Sequence, residues 1–302
     1  MKASIWVEKY RPRTIGDVIF QDERQERTFD GFVKAGDIPN LFLTGVQGTG
    51  KTTVSQALMR DLNVDRSDVL KINCSDEKID ALRTKVSGFA MTMPLGKFKV
   101  VRLEEIDYLS LDGQALLRSL IEETQYSCRF IATCNYANKV IPPLKSRFQE
   151  FYFRAPDKDA IALRMADILD QEKVKYDPEV LLAYVDVGYP DIRKTIQLLQ
   201  GNVQGGKLLK PTSGSDAADW KFGLLDAVST GDFKKARKLV CESATREEHE
   251  DVYRFLYDNI TKLKVDDRDA AIVVIADHLY KHSIVADTEI NLAALFIALG
   301  KV

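Results

Sequence analysis

Residues 40–52 read NLFLTGVQGTGKT, and this stretch decides the fold. Its first half is a short apolar run ending on glycine, the pattern of a buried strand. Its second half, Gly45–Thr52, fits GxxxxGK followed by Ser or Thr, and a helical pattern follows over 52–62. Glycines there permit the backbone angles that turn successive N–H groups toward one anion. The helix start adds a favourable dipole. Lys51 then neutralises β- and γ-phosphates, and Thr52 is placed to hold Mg2+. The competing reading is a glycine-rich turn after a strand. Strand, loop and helix in this order favour a nucleotide phosphate site built from Gly45, Gln47, Gly48, Thr49, Gly50, Lys51, Thr52 and Thr53.

Such a site needs a second strand that delivers a carboxylate. Residues 98–107, FKVVRLEEID, supply one, since an apolar strand carrying that many charges needs them paired, hydrated or turned to a metal. Glu104 is the candidate for the metal's water shell, and Glu105 for polarising the attacking water. By strand alternation Arg102 shares a face with Glu104, so an Arg102–Glu104 ion pair is the alternative. Asn135 ends the strand-like run CRFIATCN, where its amide can orient water or simply make a turn. Arg147, in PPLKSRF, either pairs structurally or projects into a neighbouring subunit's phosphate site.

The 302 residues allow two or three domains, and 45% hydrophobic with 29% charged residues is ordinary globular composition. A formal charge of −2 excludes a generally basic nucleic-acid coat. There is no long apolar run and no signal-peptide pattern, so no membrane partner and a cytoplasmic location are expected. Cys74, Cys128, Cys134 and Cys241 are scattered without a CxxC pair, and read as reduced, buried thiols. Strand patterns at 40–45, 69–73, 98–103, 128–135 and 149–153 alternate with helical ones at 52–62, 78–89 and 111–124. That alternation predicts a parallel sheet covered by helices on both faces. Helical patterns follow at 157–170 and 178–200, then a Gly/Ser-rich stretch over 200–215 that reads as a linker or mobile loop, then further helices.

With these pieces in order, the chain resembles the clamp-loader ATPases of the AAA+ superfamily, above all the replication factor C small subunits. Its brevity is similar to that of loader subunits from large tailed bacteriophages. The stretch WVEKYRPRTIGDVIFQD (6–22) is similar to the family's opening signature, which places Val7, Tyr10, Arg11, Pro12 and Val18 at the adenine. INCSDEKID (72–80) resembles its strand-to-helix segment. Asn135 falls at the sensor-1 position, and KSRF at the Ser-Arg-Cys motif, with Phe148 in place of cysteine; the resemblance makes Arg147 an arginine finger acting in trans. GYPDIRKTI (188–196) looks like the sensor-2 helix, with Arg193 reaching the γ-phosphate. Glu104, where the family has aspartate, is the departure that bears on metal geometry.

The resemblance implies an α/β AAA+ module over 1–155, a helical lid over 156–205 and an all-α collar for oligomerisation over 216–302. It implies ATP and Mg2+ as cofactors, and an assembly of five subunits including one divergent partner. ATP binding there opens a sliding clamp for primer–template DNA, and hydrolysis releases the loaded clamp. Lys78, Arg83, Lys85 and Ser110, whose helix begins with free N–H groups, would track DNA phosphates, against a plain solvated face. Phe89 and Met91, in GFAMTMPLGKF (88–98), would anchor the clamp, against an internal cover for the sheet edge. Two other readings stay open: another AAA+ machine such as a branch-migration motor or helicase loader, and a structural subunit that does not hydrolyse ATP.

Overall fold

Five strands, β1 (Leu41–Gly45), β2 (Val69–Asn73), β3 (Lys99–Glu104), β4 (Cys128–Cys134) and β5 (Gln149–Phe153), form a sheet ordered β2-β3-β4-β1-β5. Every neighbouring pair is parallel. The computed structural model describes residues 5–76, 78–210 and 220–302. Contacts divide the chain into two units, Met1–Ile161 with Pro190–Arg193, and Ala162–Tyr189 with Lys194–Val302.

The first unit holds the sheet with α1 (Trp6–Lys9), α2 (Glu23–Ala35), α3 (Lys51–Asp61), α4 (Ile79–Ala90), α5 (Leu111–Thr124) and α6 (Pro142–Lys145). Side-chain alternation sorts its core into two layers. Phe42, Val101, Leu103, Phe130 and Ala132 face α4 and α5, meeting Leu82, Val86, Leu117 and Leu120. Leu41, Leu43, Val100, Ile131 and Phe151 face α2 and α3, meeting Phe29, Val54, Ala57 and Leu58. Both faces being covered explains why the strands read as continuous apolar runs rather than as alternating ones. Each fully buried Leu or Phe contributes about 1.5–3 kcal/mol relative to exposure. Cys74, Cys128 and Cys134 are buried free thiols in this unit.

Two ends of the sheet follow from the connections. Loops leaving the strands' C-terminal ends start α3, α4 and α5, and ligands of open parallel sheets bind in that crevice. The helices run back, so the turn after α4 lies at the opposite end.

The second unit is helical. After the rest of α7 (Lys158–Gln171) come α8 (Pro178–Gly188), most of α9 (Ile192–Gly201), α10 (Trp220–Thr230), α11 (Phe233–Ser243), α12 (His249–Asp258), α13 (Arg268–His282) and α14 (Thr288–Leu299). The helical pattern over 178–200 is broken between α8 and α9, where Pro190 removes a donor and disfavours helical geometry before it. The linker reading of 200–215 is corrected over its first part. Val203–Gln204 (β6) and Lys207–Leu208 (β7) pair antiparallel about Gly205 and Gly206, both at positive φ, the geometry of a tight hairpin. Residues 211–215 lie outside the described residues. Among the described residues, no helix is long and apolar enough to cross a membrane.

Candidate nucleotide site

Helix α3 begins differently from the helices that a side chain caps. Side chains of Asp22, Ser110, Asp177, Asp232, Asp267 and Asp287 cap six other helices. α3 is preceded by Gly50 at φ 93, with no side-chain cap. Its first N–H groups are therefore left for a ligand, with the dipole favouring an anion. Gly48 is at φ 78, and a Cβ there would collide with the Asp191 carboxylate. Glycine is thus required twice over, by conformation and by the approach of the Pro190–Arg193 segment.

Lys51 is buried, and its Nζ donates to Gly45 O at 2.8 Å and Val46 O at 2.7 Å. Burial lowers its pKa to about 8, opposed by the charges of Cys134, Asp107 and Asp191. An ammonium held against loop carbonyls and stripped of water is matched to a phosphate it has yet to meet. The opening segment packs along the same helix. Arg11 Nη1 donates to Gln56 Oε1 at 3.2 Å, and Ile15 N to Asp61 Oδ2 at 2.7 Å. Tyr10 is buried, while Val7, Pro12 and Val18 are half-buried or at the surface of the same segment. Val7, Tyr10, Arg11, Pro12 and Val18 thus lie on the segment docked to the phosphate-loop helix. Thr52, Thr53 and Gly50 are half-buried at its start, Thr49 is buried, and Gln47 is exposed.

The acids of β3 divide their tasks. Glu104 Oε1 accepts from Arg102 Nη2 at 2.9 Å, and its Oε2 meets Lys71 Nζ at 2.9 Å. The pairing weighed as the alternative for Glu104 is therefore present, with both carboxylate oxygens engaged. Burial lowers the Arg102 pKa, and Arg102 Nε is buried without a partner. Glu105 sits at φ 59, ψ 49, a left-handed conformation that costs a non-glycine residue about 1–2 kcal/mol and is commonest where function demands it. Its N–H points to Thr133 Oγ1 at 3.4 Å.

Asp107 was missed in the sequence, although it ends the same acidic run. It is 7% exposed, its Oδ2 accepts from Tyr136 N at 3.2 Å, and its Oδ1 has no partner. Asp191 was missed too, for a lone acid beside a proline carries no signal of a contact with Gly48. Arg193 is exposed, in the segment that joins the first unit. Thr52 lies in the first turn of α3, after β1, and Glu104 ends β3, so both are at the same end of the sheet. Mg2+ keeps waters and takes few protein ligands beside substrate phosphates, so it asks little more of the chain than these two. The uncapped α3 and the desolvated Lys51 fit a magnesium–nucleotide.

Arg147 lies elsewhere. Its carbonyl accepts from Asn40 Nδ2 at 3.2 Å, so its backbone sits at the N-terminal end of β1. The phosphate loop leaves the other end, roughly 16 Å away at about 3.3 Å per residue. Its guanidinium donates to Glu122 Oε1 (2.9 Å from Nε) and to Ser146 Oγ (2.9 Å), and this contact lowers the Glu122 pKa.

The remaining candidates are on the surface. Lys78, Arg83 and Lys85 are exposed on or beside α4, which begins at Lys78 without a side-chain cap. Ser110 Oγ accepts from Gly113 N at 3.2 Å, so one N–H expected to be free on α5 is already satisfied. Phe89 packs half-buried against the core, with Lys99 Nζ 4.5 Å from its ring centre. The internal contact weighed for Phe89 is thus present, with the ring left half-buried. Met91, Met93 and Leu95 are 85%, 88% and 77% exposed.

Residues 41–155 match the family described as ATPase family associated with various cellular activities (AAA). The replication factor C small subunit of Archaeoglobus fulgidus is 38% identical over 246 residues, 78% of this chain and 77% of that protein. That of Sulfurisphaera tokodaii is 35% identical over 312 residues, 98% and 95% respectively. Among solved structures, a point variant of Thermotoga maritima RuvB aligns with a TM-score of 0.58 at 14% identity, covering 97% of this chain and 90% of that one. The Thermotoga maritima RuvB Holliday junction branch migration motor gives 0.57 at 14%, covering 83% and 79%. At such identity these two share the fold alone. Sequence kinship of this extent is decisive: the chain belongs to the replication factor C small-subunit family, the AAA+ ATPase subunits of clamp loaders.

Proposed function

We infer that this chain hydrolyses ATP within a sliding-clamp loader whose sites are each completed by a neighbour's Arg147. The observation that carries this reading is the placement of Arg147 at the far end of β1 from Lys51. An arginine there is out of reach of its own phosphate loop, so it serves phosphate only across a subunit boundary. Bound Mg2+–ATP supplies the electrophilic phosphorus and neutralises charge on the phosphates. The chain's part is to hold phosphates with the loop N–H groups, Lys51 and Arg193, and the metal side with Thr52 and Glu104. Glu105 takes the proton of the attacking water, and Asn135 orients it.

Partner surfaces are assigned on the same footing. Exposed Lys78 and Ser110 precede α4 and α5 at the phosphate-loop end of the sheet, Arg83 and Lys85 follow along α4, and together they suit primer–template backbone. Met91, joined by Met93 and Leu95, lies at the opposite end and suits the clamp, since flexible thioethers adapt to a pocket. Val273, Tyr280 and Ile284 expose one stripe from α13 onward, with Ile290 and Ile297 on α14, as a collar contact requires. The reading includes the division 1–155, 156–205 and 216–302, a five-subunit assembly with one divergent member, a bacteriophage source and the host cytoplasm as location.

Mixed assemblies test the trans reading. Arg147→Ala is expected to leave ATP binding near normal and to lower turnover about 10³-fold or more, the scale of arginine fingers. Adding Lys51→Ala subunits, which still carry Arg147, is expected to restore turnover. Normal assembly without restoration would sink the trans assignment. The engagement of Glu104 by Arg102 and Lys71 favours a second reading, a subunit that binds ATP without hydrolysing it; failure of wild-type assemblies with clamp and primed DNA to release phosphate would establish it.

A further inference from the structure

The loop that follows β4 carries Asn135, and two buried side chains hold it. Gln114 fixes its far end, donating from Nε2 to Lys139 O at 3.0 Å and accepting from Ile141 N at 2.8 Å. Asp107 fixes its near end through Tyr136 N, one peptide beyond Asn135. The Asp107 contact is unusual in its economy. This carboxylate has four lone-pair sites in a place that excludes water, yet Oδ2 takes the Tyr136 N–H and Oδ1 is left unpartnered. An unmet buried acceptor is destabilising, so a residue chosen for stability alone would be a poor fit. Its charge also favours protonated Lys51, so the same carboxylate acts on the phosphate loop as well as on the Asn135 loop.

We propose that Asp107 is a positioning residue for hydrolysis: its buried carboxylate holds the Asn135–Tyr136 peptide and thereby aims the Asn135 amide at the phosphate site. This rests on the reading that Asn135 orients the attacking water. Asp107 touches neither nucleotide nor water in this role. It acts through the Tyr136 N–H, and small displacements of an aiming group are costly, about 10²-fold for 1 Å.

The test is a double-mutant cycle on the assembled loader, with exchange of the Tyr136 amide as a second readout. Asp107→Ala is expected to lower kcat about 10²-fold and to leave ATP affinity within about threefold, since the lost interaction serves the chemical step. Tyr136 amide protection should fall in the nucleotide-free protein. Asp107→Asn keeps an acceptor oxygen for that N–H, so it should retain the protection and lose less than about tenfold in kcat. It also serves as the folded reference if the alanine variant unfolds. In an Asn135→Ala background, adding Asp107→Ala should cost almost nothing further, because residues acting in series are not additive. Multiplying losses in the double variant, or unchanged Tyr136 protection in Asp107→Ala, would overturn the proposal. An Asn135→Ala variant with normal kcat would overturn the underlying reading of Asn135 instead.

Discussion

The nucleotide unit and the helical unit both bury polar groups, and one cluster in each shows how differently they can be met. In the helical unit Asn291 Nδ2 donates to Tyr253 Oη and to His278 O, each at 2.8 Å, while its Oδ1 meets His278 Nδ1 at 2.9 Å. The amide oxygen accepts, so that imidazole nitrogen carries the proton. These three residues, from α12, α13 and α14, satisfy one another and specify how the helices pack. In the nucleotide unit Asp107 Oδ1 and Arg102 Nε are buried without partners, and Lys51 has lost its water. Polar groups that stabilise a fold are met from within. Unmet Asp107 Oδ1 and Arg102 Nε belong to the acidic strand and the turn that follows it, where stability is not the only demand on a side chain.

The largest effect that sharpens this contrast is at Glu105. Glu105→Gln removes the base while keeping size and backbone, so ATP should bind and hydrolysis should fall by about 10²–10⁴-fold. Filter-binding of ATP beside phosphate release measures both; normal release would break the assignment. Urea unfolding followed by tryptophan fluorescence should show no comparable loss of stability.

At Asn291 the pattern should invert. Asn291→Ala leaves His278 Nδ1 without its partner, at about 1–3 kcal/mol when buried, and Tyr253 Oη with only His282 Nδ1 at 3.5 Å. The urea midpoint of the transition that reports the helical unit should fall, with ATP affinity unchanged. Equal stability of the variant would mean that this network is not a structural one.

The mildest effect is a pH dependence. Free Lys51 has a pKa of about 8, lowered by burial from 10.5, and bound phosphate raises it again. Binding therefore takes up a proton at pH values above about 8. Affinity should be full below that pH and weaken as pH rises through it, by roughly tenfold per unit until the pKa of the bound state is reached. Calorimetry at about pH 9 in buffers of different ionisation enthalpy measures the uptake. Lys51→Arg should flatten the profile, because guanidinium stays protonated.

Much of the nucleotide unit was legible because its signals are local. The strand bounds fall within a residue of the sequence patterns, and the glycine spacing names the loop without any contact being known. The helical unit was less so. α14 (TEINLAALFIAL) is apolar on nearly every side, the exposed Ile290 and Ile297 included, so it lacks the polar face whose period betrays an amphipathic helix. The segment 200–208 looked like a linker because Gly205 and Gly206 serve a hairpin as readily as a loop.

The sequence by itself determined the phosphate loop, the parallel sheet that presents it and the family to which the chain belongs. These follow from spacing along the chain, where backbone geometry allows few alternatives. Only the tertiary structure decided that Glu104 is engaged by Arg102 and Lys71, that Asp107 reaches Tyr136, and that Arg147 sits beyond reach of Lys51. Arg102 and Glu104 share β3, and their pairing was one of two readings open in the sequence; the contacts to Lys71 and Tyr136 and the distance of Arg147 from Lys51 involve residues that lie apart in the chain. Which charge meets which is fixed by packing and by water exclusion, and neither is written in the order of residues along one strand.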